Sequence, residues 1–320
     1  MRTSSGALDA LLLSTAVFLS TSAGAITVDG TTSGDAYGAA RAVQMVQTQF
    51  GDNLSELNAA YGVFAAGQLF LALTGNFEAN FNNVEILIDS QAGGFNVFPA
   101  TPGNNGAASM AGLTFDAAFA PDYHIMVRRG PSITSTFDLD IAVLGTATFS
   151  SHLDVLGGST TGAGTTGTGP GNASAIAVAY DDSNVAGVTG GTGAANTAAA
   201  LAVQTGLELG IALSDLGSPA GAIKVLAFVN NSNHDFASNQ FLGGLASPQA
   251  NLGSDGAGNF TGTLSFDLND FAGDQFFLVP EPEMGSLLTL GLSAVAGLAW
   301  MRHRPRDWQI RSPISADPRS

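Results

Sequence analysis

The chain has 320 residues, no cysteine, 41 glycines, and ten basic against 26 acidic side chains, for a formal net charge of −16. The imbalance is steepest in the middle: Ile26 to Val279 holds 21 Asp and Glu but only Arg41, Arg128, Arg129 and Lys224 on the basic side. A surface this acidic repels phosphate backbones and excludes nucleic acid as a partner, and the lack of thiols excludes disulfides, thiolate metal sites and cysteine nucleophiles.

Residues 1–25 read as a secretory signal peptide. Arg2 supplies a short basic region, Ala10 to Leu19 an apolar helical core, and Ala23-Gly24-Ala25 a small-x-small cleavage site. An exported domain over 26–278 without cysteine must stand on packing alone, which its size permits.

Ala36 to Gln49 has the composition of a short helix. From there the apolar residues recur with period 2. Leu69, Leu71 and Leu73 alternate with Phe70, Ala72 and Thr74, and Val84, Ile86 and Ile88 alternate with Glu85 and Asp89. Tyr123, Ile125 and Val127 oppose His124 and Arg128, while Phe137, Leu139, Ile141 and Val143 oppose Asp138 and Asp140. Ile176, Val178 and Tyr180 follow, then Leu207 to Leu213 around Glu208, with a single helical turn over Ser214 to Leu216. Ile223 to Val229 is apolar on nearly both faces, as a central strand would be, and Leu264, Phe266 and Leu268 form the last alternating run. One apolar and one polar face is the signature of half-buried antiparallel strands.

Turn chemistry separates these runs at Asp29-Gly30, Gly75-Asn76, Gly93-Gly94, Gly130-Pro131, Asn230-Asn231 and Asp255-Gly256. The expected fold is therefore all-β, one antiparallel β-sandwich or jelly roll of about ten strands. Two uncharged stretches are too poor in apolar surface to offset their ordering entropy. Gly157 to Ala173 has seven Gly and five Thr in 17 residues, and Ala186 to Ala200 is rich in Gly, Ala and Thr. They read as long surface loops of one sandwich, with a linker between two sub-domains around 157–200 as the alternative.

Strings that carry chemistry are scarce. Gly162-Ala163-Gly164-Thr165-Thr166-Gly167 matches a dinucleotide-binding fingerprint but lies in a Gly/Thr tract with no helix after it. No catalytic residue is assigned, and the chain reads as a non-enzyme. Asn231, Asn233 and Asp235 have the spacing that opens a calcium loop, although Phe236 and Leu242 stand where the turn glycine and closing glutamate belong, so Ca²⁺ is at most a structural ligand. Asp29 with Asp35 is a further oxygen-rich turn. Phe95 and Phe98, in the loop from Gly93 to Pro102, are the candidate aromatic contacts for a glycan.

The C-terminal end is the most specific stretch. Val279-Pro280-Glu281-Pro282 precedes an uncharged run from Met284 to Met301, then Arg302, Arg304 and Arg306, then a polar tail over 307–320. An 18-residue helix rises ~27 Å, close to the ~30 Å of a bilayer core, and the arginines would hold its far end in the cytoplasm. Residues 279–306 resemble a PEP-CTERM sorting signal. That resemblance implies recognition by an exosortase, a membrane protease-like enzyme that cleaves near the motif and releases the protein to the envelope or exopolysaccharide matrix. Ile26 to Gly30 with Leu57 to Asp89 resembles family 9 carbohydrate-binding and DOMON-like sandwiches. Thr205 to Leu213 with Phe228 to Leu242, including Ser238-Asn239-Gln240, is similar to planctomycete PEP-CTERM proteins of unassigned activity. What these imply is an exported surface or matrix protein with a structural or adhesive role, the alternatives being a carbohydrate-binding module or an enzyme.

Overall fold

The computed structural model describes residues 25–101, 104–131 and 136–281, so residues 1–24 of the expected signal peptide, Pro282, the apolar run and the arginines after it lie outside the described residues. The strands in chain order are β1 (Ala42–Val43), β2 (Glu56–Ala65), β3 (Gln68–Asn76), β4 (Asn83–Asp89), β5 (Tyr123–Arg129), β6 (Phe137–Val143) and β7 (Phe149–His152). They continue as β8 (Gly162–Thr165), β9 (Ala177–Tyr180), β10 (Gly206–Ala212), β11 (Ile223–Asn230), β12 (Ala237–Leu242) and β13 (Phe277–Val279). One six-residue helix, α1 (Thr197–Ala202), is capped by Asn196, whose side chain accepts from the Ala199 N–H at 3.2 Å.

Two antiparallel sheets face each other. The first runs β1-β2-β3-β10-β9-β8 and the second β12-β11-β4-β5-β6-β7, with β13 on the same edge of β11 as β12. Every alternating run through Ile223 to Val229 becomes a strand, and Leu213 to Leu216 forms the expected single helical turn.

The inner faces pack as the alternation predicts. Leu69, Leu71 and Leu73 from the first sheet meet Ile86, Ile125, Leu139 and Val225 from the second in one apolar cluster. The outer face of the second sheet, expected to be solvated, is covered as well. Leu87, Leu226, Phe228 and Phe241 sit there in a second apolar cluster under loop residues Phe98, Met110, Phe115, Phe119, Leu245 and Leu264. The architecture is thus two sheets plus a layer of loops, and β11 is buried on both sides, as its sequence implied.

Three expectations are corrected. Ala36 to Gln49 is extended rather than helical, because its polar residues find fixed partners: Gln44 and Thr48 are fully buried, and Thr48 Oγ1 donates to the Ser55 carbonyl at 2.9 Å. Leu264, Phe266 and Leu268 do point inward, but their backbone bonds go to the loop residues Ser109 and Thr114 and the run ends in a short 3-10 turn (Leu268–Asp270). The Gly/Thr tract is ordered by hydrogen bonds instead of apolar burial. Its residues 162–165 are β8, paired with β9, and buried Asn172 donates to the carbonyls of Gly167 and Ser174 at 2.9 and 2.8 Å.

Gly75 pairs with Leu57 one residue before the β2–β3 ladder ends, at φ +136°, and a Cβ placed there would stand 2.2 Å from the Glu56 carbonyl oxygen. Gly75→Ala therefore combines a strained backbone with a backbone clash. It should lower unfolding free energy by at least about 2 kcal/mol in urea denaturation, with an unchanged slope.

Candidate functional site

The polar residues of the second sheet explain why its outer face tolerates burial. Glu85 on β4 and His124 on β5 lie on that face, and His234 enters it from the β11–β12 turn; all three side chains are fully buried. His124 Nε2 lies 2.7 Å from Glu85 Oε2, and His234 Nδ1 lies 2.6 Å from Glu85 Oε1. Asn230 Nδ2 adds a third bond to Glu85 Oε1 at 3.2 Å. The turn achieves this by placing His234 at φ +60°, in the left-handed region. Burial alone drives the Glu85 carboxyl up, but the His234 charge and the bonds from both histidines outweigh it and hold the group down to about 2.

That turn is also the expected calcium loop. Its side chains are spent on the turn itself: Asn231 Nδ2 donates to Asp235 Oδ1 at 2.6 Å, and the Asp235 N–H donates to Asn231 Oδ1 at 3.0 Å. Asn233 stands exposed, so the alternating spacing serves a histidine-bearing turn. The aromatic pair is likewise divided. Phe95 is 39% exposed and lies against Gly145, whereas Phe98 is 1% exposed, edge-on to His124 at 5.4 Å in the second cluster. Phe98 is a core residue because the loop carrying it roofs the second sheet; it is no glycan platform.

A second polar group gathers at the start of the domain. Glu208 on β10 is 1% exposed, and its Oε2 accepts the N–H groups of Asp29 and Gly30 at 2.9 and 2.7 Å, while Oε1 accepts the Tyr37 hydroxyl at 2.8 Å. Asp29, Asp35 and Glu208 each bring one ligand oxygen within 4.8 Å of the others. Burial first, and Asp35 beside it, push the Glu208 carboxyl above its usual range; burial and Glu208 do the same to the Tyr37 hydroxyl. Both Glu208 oxygens already hold the opening segment against β10, which makes the group a clasp for residues 29–37. The sequence offered Asp29 and Asp35, but nothing in it tied them to Glu208, some 180 residues away.

The expected sorting motif begins inside the sandwich. Val279 closes β13, is fully buried, and pairs with Ile223. A Cβ on Gly62 of β2 would stand 2.5 Å from Val279 Cγ2, so the valine presses on the first sheet as well. Pro280 and Glu281, the next two residues of the motif, are exposed. Among the described residues no helix is long and apolar enough to cross a membrane. Comparison of the chain with family models, curated proteins and solved structures gives no match.

Glu85→Gln should cost about 3–5 kcal/mol at pH 7, because each histidine loses a buried anionic partner. Since the folded carboxyl is depressed, its contribution is present above the unfolded value near 4.5 and is lost as pH falls toward 2. Urea titrations at pH 7, 4.5 and 3 should show a loss of about 2 kcal/mol by pH 3 in the parent chain that the variant lacks.

Proposed function

We propose that this chain is an exported, non-enzymatic surface or matrix protein, delivered by its C-terminal sorting signal and serving as an acidic structural or adhesive module. The observation that carries this reading is the junction at Val279: the last strand of the sandwich ends on the first residue of the motif, and Pro280 and Glu281 follow it on the surface. A protease acting at such a site would find Pro280 and Glu281 accessible directly beside a finished domain, and the cut would cost the fold nothing.

The interior also favours cargo over catalyst. Glu85, His124 and His234 are closed off from solvent and bonded to each other, and Glu208 is bonded to the backbone of the opening segment. A general acid or base needs access to a substrate proton, and these groups have none.

Two measurements test this. Intact mass of the mature protein from its native envelope should end near Glu281 and begin near Ile26; a membrane-bound form that still carries Ser320 would leave the span as a plain anchor and reject sorting by cleavage. A chain ending at Glu281 should keep the melting temperature of the whole, whereas one ending at Gly273 loses β13 and should melt several degrees lower.

A further inference from the structure

At one end of the sandwich, where β3 of the first sheet and β5 of the second both stop, a cleft of about 440 Å³ opens. That lies within the range of about 300–1,000 Å³ usual for small-molecule sites. Its centre is Arg129, 8% exposed, whose guanidinium lies over the Tyr180 ring at 5.1 Å. Arg129 Nη1 donates to the Phe77 carbonyl at 3.1 Å, and Nη2 donates to Thr160 Oγ1 at 3.2 Å and pairs with Asp182 at 2.7 Å.

The hydrogen bonding around this cleft is incomplete. Eight buried side-chain N and O atoms among the described residues lack a partner, and three of them belong to side chains lining this one cleft: Arg129 Nε, Asn76 Oδ1 and Asn53 Oδ1. The Asn76 amide cannot simply be turned round, because its Nδ2 donates to the carbonyls of both Asn53 and Asn184, at 3.0 and 2.9 Å. Each orphan costs about 1–3 kcal/mol, so three on side chains that line one cleft mark a place for a partner the chain does not supply. Asp182 is the part of the wall able to yield: its side chain is 41% exposed, and its carboxylate contacts Arg129.

The chemistry of that partner follows from the wall. Two amide oxygens and the carboxylates of Glu78 and Asp182 accept, against one unused N–H, and the charges of Glu78, Asp182 and Arg129 leave an excess negative charge. The chain around it is strongly acidic. Phosphates and uronates are repelled, and an apolar ligand would strand the carboxylates without water. An ammonium offers several donors to the oxygens, and adjacent hydroxyls offer an acceptor to Arg129 Nε and donors to the rest. We propose that this cleft binds an amino sugar bearing a free ammonium, as a residue of a matrix polysaccharide. Asp182 swings from Arg129 as the sugar hydroxyls arrive. The proposal rests on the matrix reading for its polymer, but the cleft is complete before Val279, so sorting and binding fail separately.

The test is calorimetric titration of the full chain in mild detergent with glucosamine oligomers, their N-acetylated counterparts, neutral glucose oligomers and polyuronate oligomers. Saturable binding should be at least about tenfold tighter for the free amine than for the N-acetyl form and should weaken with salt. Ala79→Trp, which fills the cleft from a half-buried position, should abolish binding with an unchanged melting temperature, and Glu78→Gln should weaken it several-fold. Absence of saturable binding to glucosamine oligomers would overturn the proposal, as would equal affinity for the amine and N-acetyl forms. Undiminished binding by Ala79→Trp would overturn the location; should that variant misfold, Leu54→Arg at the exposed rim tests the location in its place, with loss of binding expected and undiminished binding overturning it.

Discussion

The seven-stranded sheet is covered on both faces, and the rest of the molecule is arranged around that fact. A chain without cysteine has no covalent staple, so the domain must hold itself by burial. The first sheet provides one cover. The second is made from irregular chain, the segments around Phe98 to Phe119 and Leu245 to Phe271, which by themselves have no ladder to stabilise them. They stay because Leu87, Leu226, Phe228 and Phe241 give them an apolar floor, each large side chain contributing about 1.5–3 kcal/mol on removal from water. Loops in this protein are therefore a packed layer as well as connections.

Covering a face that carries charges imposes a second requirement. Glu85, His124, Asp138 and Asp140 alternate with apolar residues along β4, β5 and β6, and each is buried. An ionised group taken from water costs several kcal/mol unless it is paired and hydrogen-bonded. Glu85 meets that condition from three directions, and Asp138 meets it through Arg128 Nε at 3.1 Å and the Asp154 N–H at 3.0 Å. The left-handed His234 and the Asn231–Asp235 bond that frames it are the local cost of bringing a partner to Glu85 from a turn.

This is where reading the sequence succeeds and where it stops. Period-2 alternation locates strands β3 to β6 and β9 to β11 because side-chain direction in a strand is set by backbone geometry, whatever lies on either side. It cannot say what covers the polar face. Asp138 and Asp140 look solvated, and Phe98 looks like a loop aromatic, since the layer uniting them is assembled from segments distant in sequence. Ala36 to Gln49 fails for a related reason. Its helix-compatible composition gives a weak local preference, which the fixed partners of Gln44, Thr48 and Tyr37 override. Glycine and asparagine tracts mislead in the other direction. Asn172 orders the tract around it through hydrogen bonds that composition does not register. Val279 reads in the sequence as part of a motif, and nothing around it there marks the core residue that it is.

Two buried charges define opposite ends of this logic. Glu85 sits in mid-sheet, where flanking strands and the loop layer supply donors from β5, β11 and the β11–β12 turn, and its carboxylate oxygens are used by the protein. Arg129 is the last residue of β5, where the ladder stops and neighbouring chain departs in different directions. There Phe77, Tyr180, Thr160 and Asp182 satisfy four of the five N–H groups, and the fifth is left without a partner, as are two amide oxygens on side chains lining the same cleft. A packed interior closes its polar networks because an open one is costly, whereas the end of a sandwich can leave one open where a cleft lets a ligand in. The difference is positional: both groups are charged and buried, and only the one at the strand end is adjacent to space that another molecule could fill.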